Sequence, residues 1–480
     1  MELQQMIYET LLTQIQFGTF RYMDSLAAAV EVSERFHVSV DTIQSVYRRL
    51  KREGYISLSR NVGAKVIVSF NAAEIDQHIQ TFFSLRKDAM LDLCSSIQPL
   101  LGRIQWLSMK HASPQTLENI ERLTQENERP PYMMWQYFEQ KYAALNNALL
   151  TRLARQIFLF FQTPLFSVAE PETHLIRSSE WVRDTLELCW RQDWAELQRS
   201  FEAYQMEMCV SLHDFYRERI TLPSPEEQIP FRWSSYKKPG QLCYSLAMEL
   251  LTAISRGVYP SGSLLPTMER ISAEKGVSIS TVRRTMGLLC GIGAVKSSRP
   301  YGMRVLPLMQ GAKNCDFTNS VIRQRLLDML ESLQIFALSC RAVAELALQS
   351  LDADSIREWK RRLCALKESP HYDILPNAVL ELVTDYVPSK AIQVVYTELL
   401  QQFFWGNPLR GMKGDRTATN TLLEPYLTGM ITCLKNADIP GFCGRLEELL
   451  LFELRDSKAR LLQLGIQEAN AILIPENDDQ

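Results

Sequence analysis

A chain of 480 residues is longer than one hydrophobic core usually serves, so roughly three or four domains of ordinary size are expected. Hydrophobic residues make up 46% and charged ones 22%, a globular balance that excludes disordered, collagen-like and disulfide-scaffold classes. The net charge of −3 speaks against a nucleic-acid partner only as an average, because a basic module can sit inside an acidic chain.

The first twenty residues are interrupted by Glu2, Gln4, Gln5, Glu9, Gln14 and Gln16, unlike a signal peptide, and no run of eighteen apolar residues occurs. A soluble, cytoplasmic protein with no membrane partner is expected. Ten cysteines stand singly, without a CxxC pair or regular spacing, and read as buried free thiols. No GxSxG, GxxxxGK(S/T) or HExxH motif occurs, so neither enzymatic activity nor a cofactor is expected.

In chain order, residues 1–70 read as a small module and 71–221 as a helical one. Residues 222–240, rich in Pro, Ser and charge, read as a linker. Residues 241–309 are a second small module, 310–470 a second helical one, and 471–480 an acidic tail. The helical modules show apolar residues every three or four positions, as in Ile75, Ile79, Phe82, Phe83, Met90, Leu93, Ile97, Leu100, Ile104 and Leu107 across one long segment. Final helices are expected from about Trp194 to Arg219 and from about Ile439 to Leu464.

The halves repeat at an offset of 239. Ile15-Gln16-Phe17-Gly18-Thr19-Phe20 returns as Ile254-Ser255-Arg256-Gly257-Val258-Tyr259, and Val38-Ser39 matches Val277-Ser278. Thr42 matches Thr281, Leu50 Leu289, Gly54 Gly293, Gly63 Gly302 and Val66 Val305, all without a gap. Within each small module the pattern is helix, helix, helix and hairpin. In the second, Leu246, Leu250, Leu251 and Ile254 stop at Gly257, and Ile271 marks a short helix. Val282, Met286 and Leu289 mark a third helix that ends at Gly293, and Pro300 and Gly302 sit in the hairpin. The fold class is therefore mainly α, two winged helix-turn-helix domains each followed by an all-helical bundle.

With these residues in view, the small modules resemble the GntR family of regulators. The second copy shows Gly257, Gly262, Leu265-Pro266, Ile271, Val277-Ser278, Ser280-Thr281-Val282-Arg283, Leu289, Gly293 and Gly302-Met303-Arg304-Val305. The first is worn, with Met23, Ala27 and Gln44 where the second has Gly262, Pro266 and Arg283. The resemblance implies double-stranded operator DNA as partner. It implies contacts from Ser278, Ser280, Thr281 and Arg283 in the second module and from Ser39 and Thr42 in the first, and the local basic charge adds Arg284 and Arg48 as candidates. Arg60 and Arg299 take equivalent places at the wing tips, and Arg304 follows on the second wing strand. A guanidinium offers a two-pronged donor to guanine, and hydroxyls at a helix start bond phosphates. The same residues have a plainer reading, as helix caps and solvated charge. Glu269 and Val30, and Ile279 and Val40, stand where the family usually has a DNA-contacting Arg. From Lys237 to Met309 ten basic residues face three acidic ones, net +7; from Met1 to Phe70 eight face seven, net +1.

The helical modules resemble FadR-type or FCD-type effector domains, through Tyr396 to Leu409 ending Trp405-Gly406-Asn407-Pro408-Leu409, the fainter Phe138 to Leu150 with Asn147, and the helices that start at Asp193 and Asp438. At the family's metal-ligand places stand Trp135, Glu139, Trp181 and Tyr204, then Gln393, Thr397, Tyr426 and Leu449, so no metal is expected. A small-molecule effector stays open. The expected function is a sequence-specific transcription regulator whose fused halves act as a pseudo-dimer within one chain, a further homodimer being left open. The rival is a sensor or interaction scaffold with decayed winged modules.

Overall fold

Met6, Ile7, Leu11 and Ile15 recur at helical spacing, and α1 (Leu3–Gln16) buries all four. The computed structural model describes residues 3–36, 38–59, 63–125, 130–168, 179–234, 242–298, 300–307, 311–368, 372–410, 412 and 416–475. The chain divides into two compact units, Met1–Ala144 with Thr151–Trp233, and Leu145–Leu150 with Ser234–Gln480. Both are mainly helical.

In the first unit α1 is followed by β1 (Ser25–Leu26), α2 (Ala29–Arg35), α3 (Val40–Arg52), β2 (Ile56–Ser59) and β3 (Gly63–Val66). The strands form an antiparallel sheet in the order β1-β3-β2, with Ile56 opposite Val66 and Ser59 opposite Gly63. Gly18 turns the chain out of α1 at φ +75°, and a Cβ there would lie 2.9 Å from Ile75 Cδ1. The turn therefore needs glycine for both its conformation and its close approach.

The helical part comprises α4 (Ala72–Ser84), α5 (Lys87–Lys110), α6 (Pro114–Gln125), α7 (Pro130–Lys141), α8 (Ala148–Ile157), α9 (Thr163–Val168), α10 (Ser179–Arg191) and α11 (Trp194–Glu218). The apolar pattern from Ile75 to Leu107, read as one segment, is two helices. Asn71 and Glu74 close a capping box at the start of α4. The break falls at Leu85-Arg86, where buried Arg86 lies over the Phe82 ring, 3.9 Å from its centroid, and 3.9 Å from Glu9 Oε2. Asp193 caps α11 through Glu196 N at 3.1 Å, and α11 packs along α5. One core runs from the sheet module into the helices, with the rings of Phe36 and Trp135 5.7 Å apart. The first part of the expected linker lies against this unit: Ile229 N–H donates to Leu85 O at 2.7 Å, and Phe231 and Trp233 are buried. Residues 476–480 of the expected acidic tail lie outside the described residues.

The second unit opens with α12 (Leu242–Ser255), α13 (Met268–Lys275), α14 (Ile279–Gly291), β4 (Val295–Ser298) and β5 (Gly302–Val305). An isolated bridge pairs Leu264 with Arg304, as Ser25 pairs with Lys65 in the first unit. Starts of corresponding elements are 239 residues apart: Leu3 and Leu242, Ala29 and Met268, Val40 and Ile279, Ile56 and Val295, Gly63 and Gly302. Then come α15 (Gly311–Asn314), α16 (Ser320–Gln349), α17 (Ala353–Glu368), α18 (Leu375–Tyr386), α19 (Lys390–Phe403), α20 (Asn407–Arg410), α21 (Arg416–Lys435) and α22 (Ile439–Gln463). Most of α16 is buried, packed against α18, α19 and α22. Asp438 caps α22 through Gly441 N at 2.8 Å.

Candidate nucleic-acid interface

Ser278 has extended φ/ψ of −67° and 149°, which places its hydroxyl over the first turn of α14. Its Oγ accepts from Thr281 N at 3.1 Å and lies 2.8 Å from Ser280 Oγ and 2.9 Å from Thr281 Oγ1. The capping role weighed from sequence is thus real. It leaves a cluster of three hydroxyls at a helix N-terminus, where the helix dipole favours an anion.

Along α14, Val282, Thr285, Met286 and Leu289 face the core. Ser280, Arg283, Arg284 and Gly287, spaced three and four apart, are exposed on the other side. Neither arginine is paired with an acid among the described residues. Elsewhere in this module the charges cancel: Arg270 pairs with Glu274 at 2.7 Å and Lys275 with Glu249. On the wing, Lys296 stands opposite Arg304. Arg304 Nη1 also donates to Gly262 O at 2.6 Å, tying the strand to the turn before α13. Arg299 lies outside the described residues. The net +7 counted from sequence is therefore concentrated, where described, on one side of α14 and on the wing.

The first module has the same frame and a different surface. Ser39 caps α3 through Thr42 N at 3.2 Å, with its Oγ 2.8 Å from Thr42 Oγ1. Ile43, Val46, Tyr47 and Leu50 are buried, while Asp41, Gln44, Arg48, Lys51 and Arg52 are exposed. Asp41 stands where α14 has Ser280, and Gln44 where it has Arg283. Arg48 Nε turns back to Gln44 O at 3.2 Å. Arg49 lies 3.6 Å over the Tyr8 ring and bonds Glu53 at 3.0 Å, so it braces α3 against α1. Positive charge has moved from the start of the helix to its C-terminal end, where it complements the dipole. Arg60 lies outside the described residues.

Residues 3–66 match the family model described as bacterial regulatory proteins, gntR family. The first module is a GntR-family helix-turn-helix domain. The match falls on the copy whose motif is the more worn. Of the worn positions, Met23 and Gln44 are exposed and Ala27 is half-buried against the core, while the GntR frame of Ile7, Ile15, Val32, Ile43, Leu50, Ile56 and Val66 is buried. Among solved structures the chain is similar to a Streptococcus agalactiae GntR, at 14% identity over 44% of this chain and 99% of that one, with a TM-score of 0.21. It is also similar to E. coli McbR/YncC, at 14% identity over 45% and 99%, with a TM-score of 0.22. A GntR-family transcriptional regulator from Pseudomonas syringae pv. tomato gives 17% identity over 48% and 90%, and 0.21. With scores this low, the GntR assignment rests on residues 3–66. No curated protein matches.

In the helical part of the first unit, the residues read at metal-ligand places are packed. Trp135 lies against Phe158, Glu139 pairs with Arg155 at 2.8 Å, and Trp181 stacks on Tyr204 at 4.2 Å. In the second unit Gln393 bonds Val387 O at 2.9 Å, and Leu449 is buried. Among the described residues no three His, Cys, Asp or Glu side chains gather as metal ligands. No helix among them is long and apolar enough to cross a membrane.

Sequence reasoning missed Lys141. This side chain is buried beside a cavity of about 40 Å³ lined by residues including Leu101, Phe138, Trp181 and Phe201. Its Nζ donates to Gln105 Oε1 at 2.6 Å and lies 4.5 Å from the Phe201 ring centroid and 5.5 Å from that of Trp181. Desolvation lowers its pKa to about 7. A lone Lys at the end of an aromatic-rich helix gives no warning of this in sequence, because its acceptor Gln105 is 36 positions away.

Proposed function

We propose that this chain is a transcription regulator that reads double-stranded DNA through both winged modules, with the second the sharper reader. The observation that carries this is the outer side of α14: Arg283 and Arg284, exposed and without an acidic partner among the described residues, beside the exposed Ser280 at a hydroxyl-capped helix start. The N-terminal part of a helix in this motif is the part that meets base edges, and an arginine fork there can read guanine. In the first module Gln44 and Asp41 offer no such fork, so its contacts come from Ser39, Thr42, Arg48 and the wing, which position the protein more than they specify a base.

The module order and the 239-residue correspondence support a second part of the proposal, that two readers on one chain replace the two chains of a two-fold dimer. Light scattering on the DNA complex should then find one chain per site; a strict requirement for two would overturn this part. We read no catalytic role.

Selection of bound fragments from genomic DNA tests the main reading. The expected motif is lopsided, one half tightly specified. Arg283→Ala should weaken binding to it by ~1–3 kcal/mol and relax that half. Two equally sharp halves would overturn the ranking of the modules, and no enrichment would favour the sensor or scaffold.

A further inference from the structure

Away from the DNA-reading surface, α5 and α11 bring two thiols together. Cys94 on α5 and Cys209 on α11 are 115 residues apart in sequence, yet their sulfurs are 3.0 Å apart. Both are reduced. Cys94 is buried, whereas Cys209 is partly open to solvent. Gln205, one turn before Cys209, holds the pair in place: its Nε2 donates to Cys94 O at 2.7 Å and lies 3.5 Å from Cys209 Sγ. Gln205 also lines the Lys141 cavity, so the side chain that bonds Cys94 is part of that cavity's wall.

We propose that Cys94 and Cys209 are an oxidant-reactive pair that closes to a disulfide between α5 and α11, with hydrogen peroxide as the oxidant. The sulfurs need to approach by only about 1 Å to reach bonding distance. That is a side-chain adjustment between two helices already packed together. The division of labour follows from their surroundings. The hydrogen bond between the two sulfurs lowers the Cys209 thiol, which favours its thiolate, and Cys209 is the one of the pair that is partly open to solvent. Its hydrogen bond with Cys209 and burial raise the Cys94 thiol, which keeps its proton.

The chemistry balances in two steps. The Cys209 thiolate attacks one peroxide oxygen, the O–O bond breaks, hydroxide leaves, and Cys209 becomes a sulfenic acid. Cys94 sulfur then attacks Cys209 sulfur; the S–O bond breaks, the Cys94 proton leaves with the departing oxygen, and water is released. Two thiols and one peroxide give one disulfide and two waters. The product ties α5 to α11 beside Gln205.

The test uses the full chain treated with a few equivalents of hydrogen peroxide, followed by intact mass and peptide mapping without reduction. The expected result is a loss of two hydrogens, a cross-linked peptide pair containing Cys94 and Cys209, and full reversal by dithiothreitol. With Cys94→Ser, Cys209 should instead be trapped as a dimedone adduct. With Cys209→Ser, oxidation at Cys94 should slow by about tenfold or more. Circular dichroism establishes that both variants are folded, and the wild-type map stands without them. Folded wild-type protein in which Cys94 and Cys209 stay reduced, pair with other cysteines, or go to sulfinic acid without a cross-link would overturn the proposal.

Discussion

Met23 shows how a surface position can lose its preferred residue without losing its conformation. Its φ is 71°, and Gly262, 239 positions on, has φ 86°. Both donate their backbone N–H to the last wing residue, Met23 to Val66 O and Gly262 to Val305 O, each at 2.9 Å. The hairpin thus imposes a left-handed turn that costs a side-chain-bearing residue ~1 kcal/mol or more. Met23→Gly should raise the stability of the first unit by about that amount, seen as a higher melting midpoint; Met23→Ala should not. Lys141 makes a second prediction at this scale. Its folded-state pKa is about 7 against an ordinary 10.5, so between these values the unfolded chain holds the extra proton. Stability then rises with pH from about 7 upward, and below that the burial penalty is present in full. Calorimetric melting between about pH 6.5 and 8 should show that rise, and Lys141→Met should flatten it and melt higher at the acid end. A variant with an unchanged pH slope would show that this lysine stays protonated.

At the scale of elements, α3 and α14 are the same helix with different outer sides. Their starts, caps and buried residues correspond, because the core fixes which positions point inward. Nothing in the core fixes Gln44 or Arg283, both of which are exposed. Gln44→Arg should therefore be tolerated by the fold and should sharpen the loose half of the selected motif. A motif left unchanged would mean that α3 does not enter a groove. The two caps at Asp193 and Asp438 make the converse point. Each was legible as an Asp ahead of an apolar helix, since an N-terminal turn needs an acceptor for its free N–H groups.

Across the whole molecule, the proposed reading makes the basic residues of the second module set how DNA binding responds to salt. Lys296 and Arg304 face each other on the wing, a placement suited to phosphates. Lys296→Ala should weaken binding to all sequences alike and lower the salt slope by about one, whereas Arg283→Ala should act on one motif half. Titrations across a salt series separate the two; equal effects on every sequence would show Arg283 to be a phosphate contact.

Sequence alone determined the winged modules, their offset and the terminal helices of the bundles, because these follow from local spacing of apolar residues, glycine turns and caps. It also distinguished the outer sides of α3 and α14 by the side chains at matching positions. Tertiary structure alone decided the break at Arg86, the docking of Ile229, the burial of Lys141 against Gln105 and the meeting of Cys94 with Cys209. Each of these depends on residues brought together from separate stretches of chain, and no local pattern records which face of one helix another will cover.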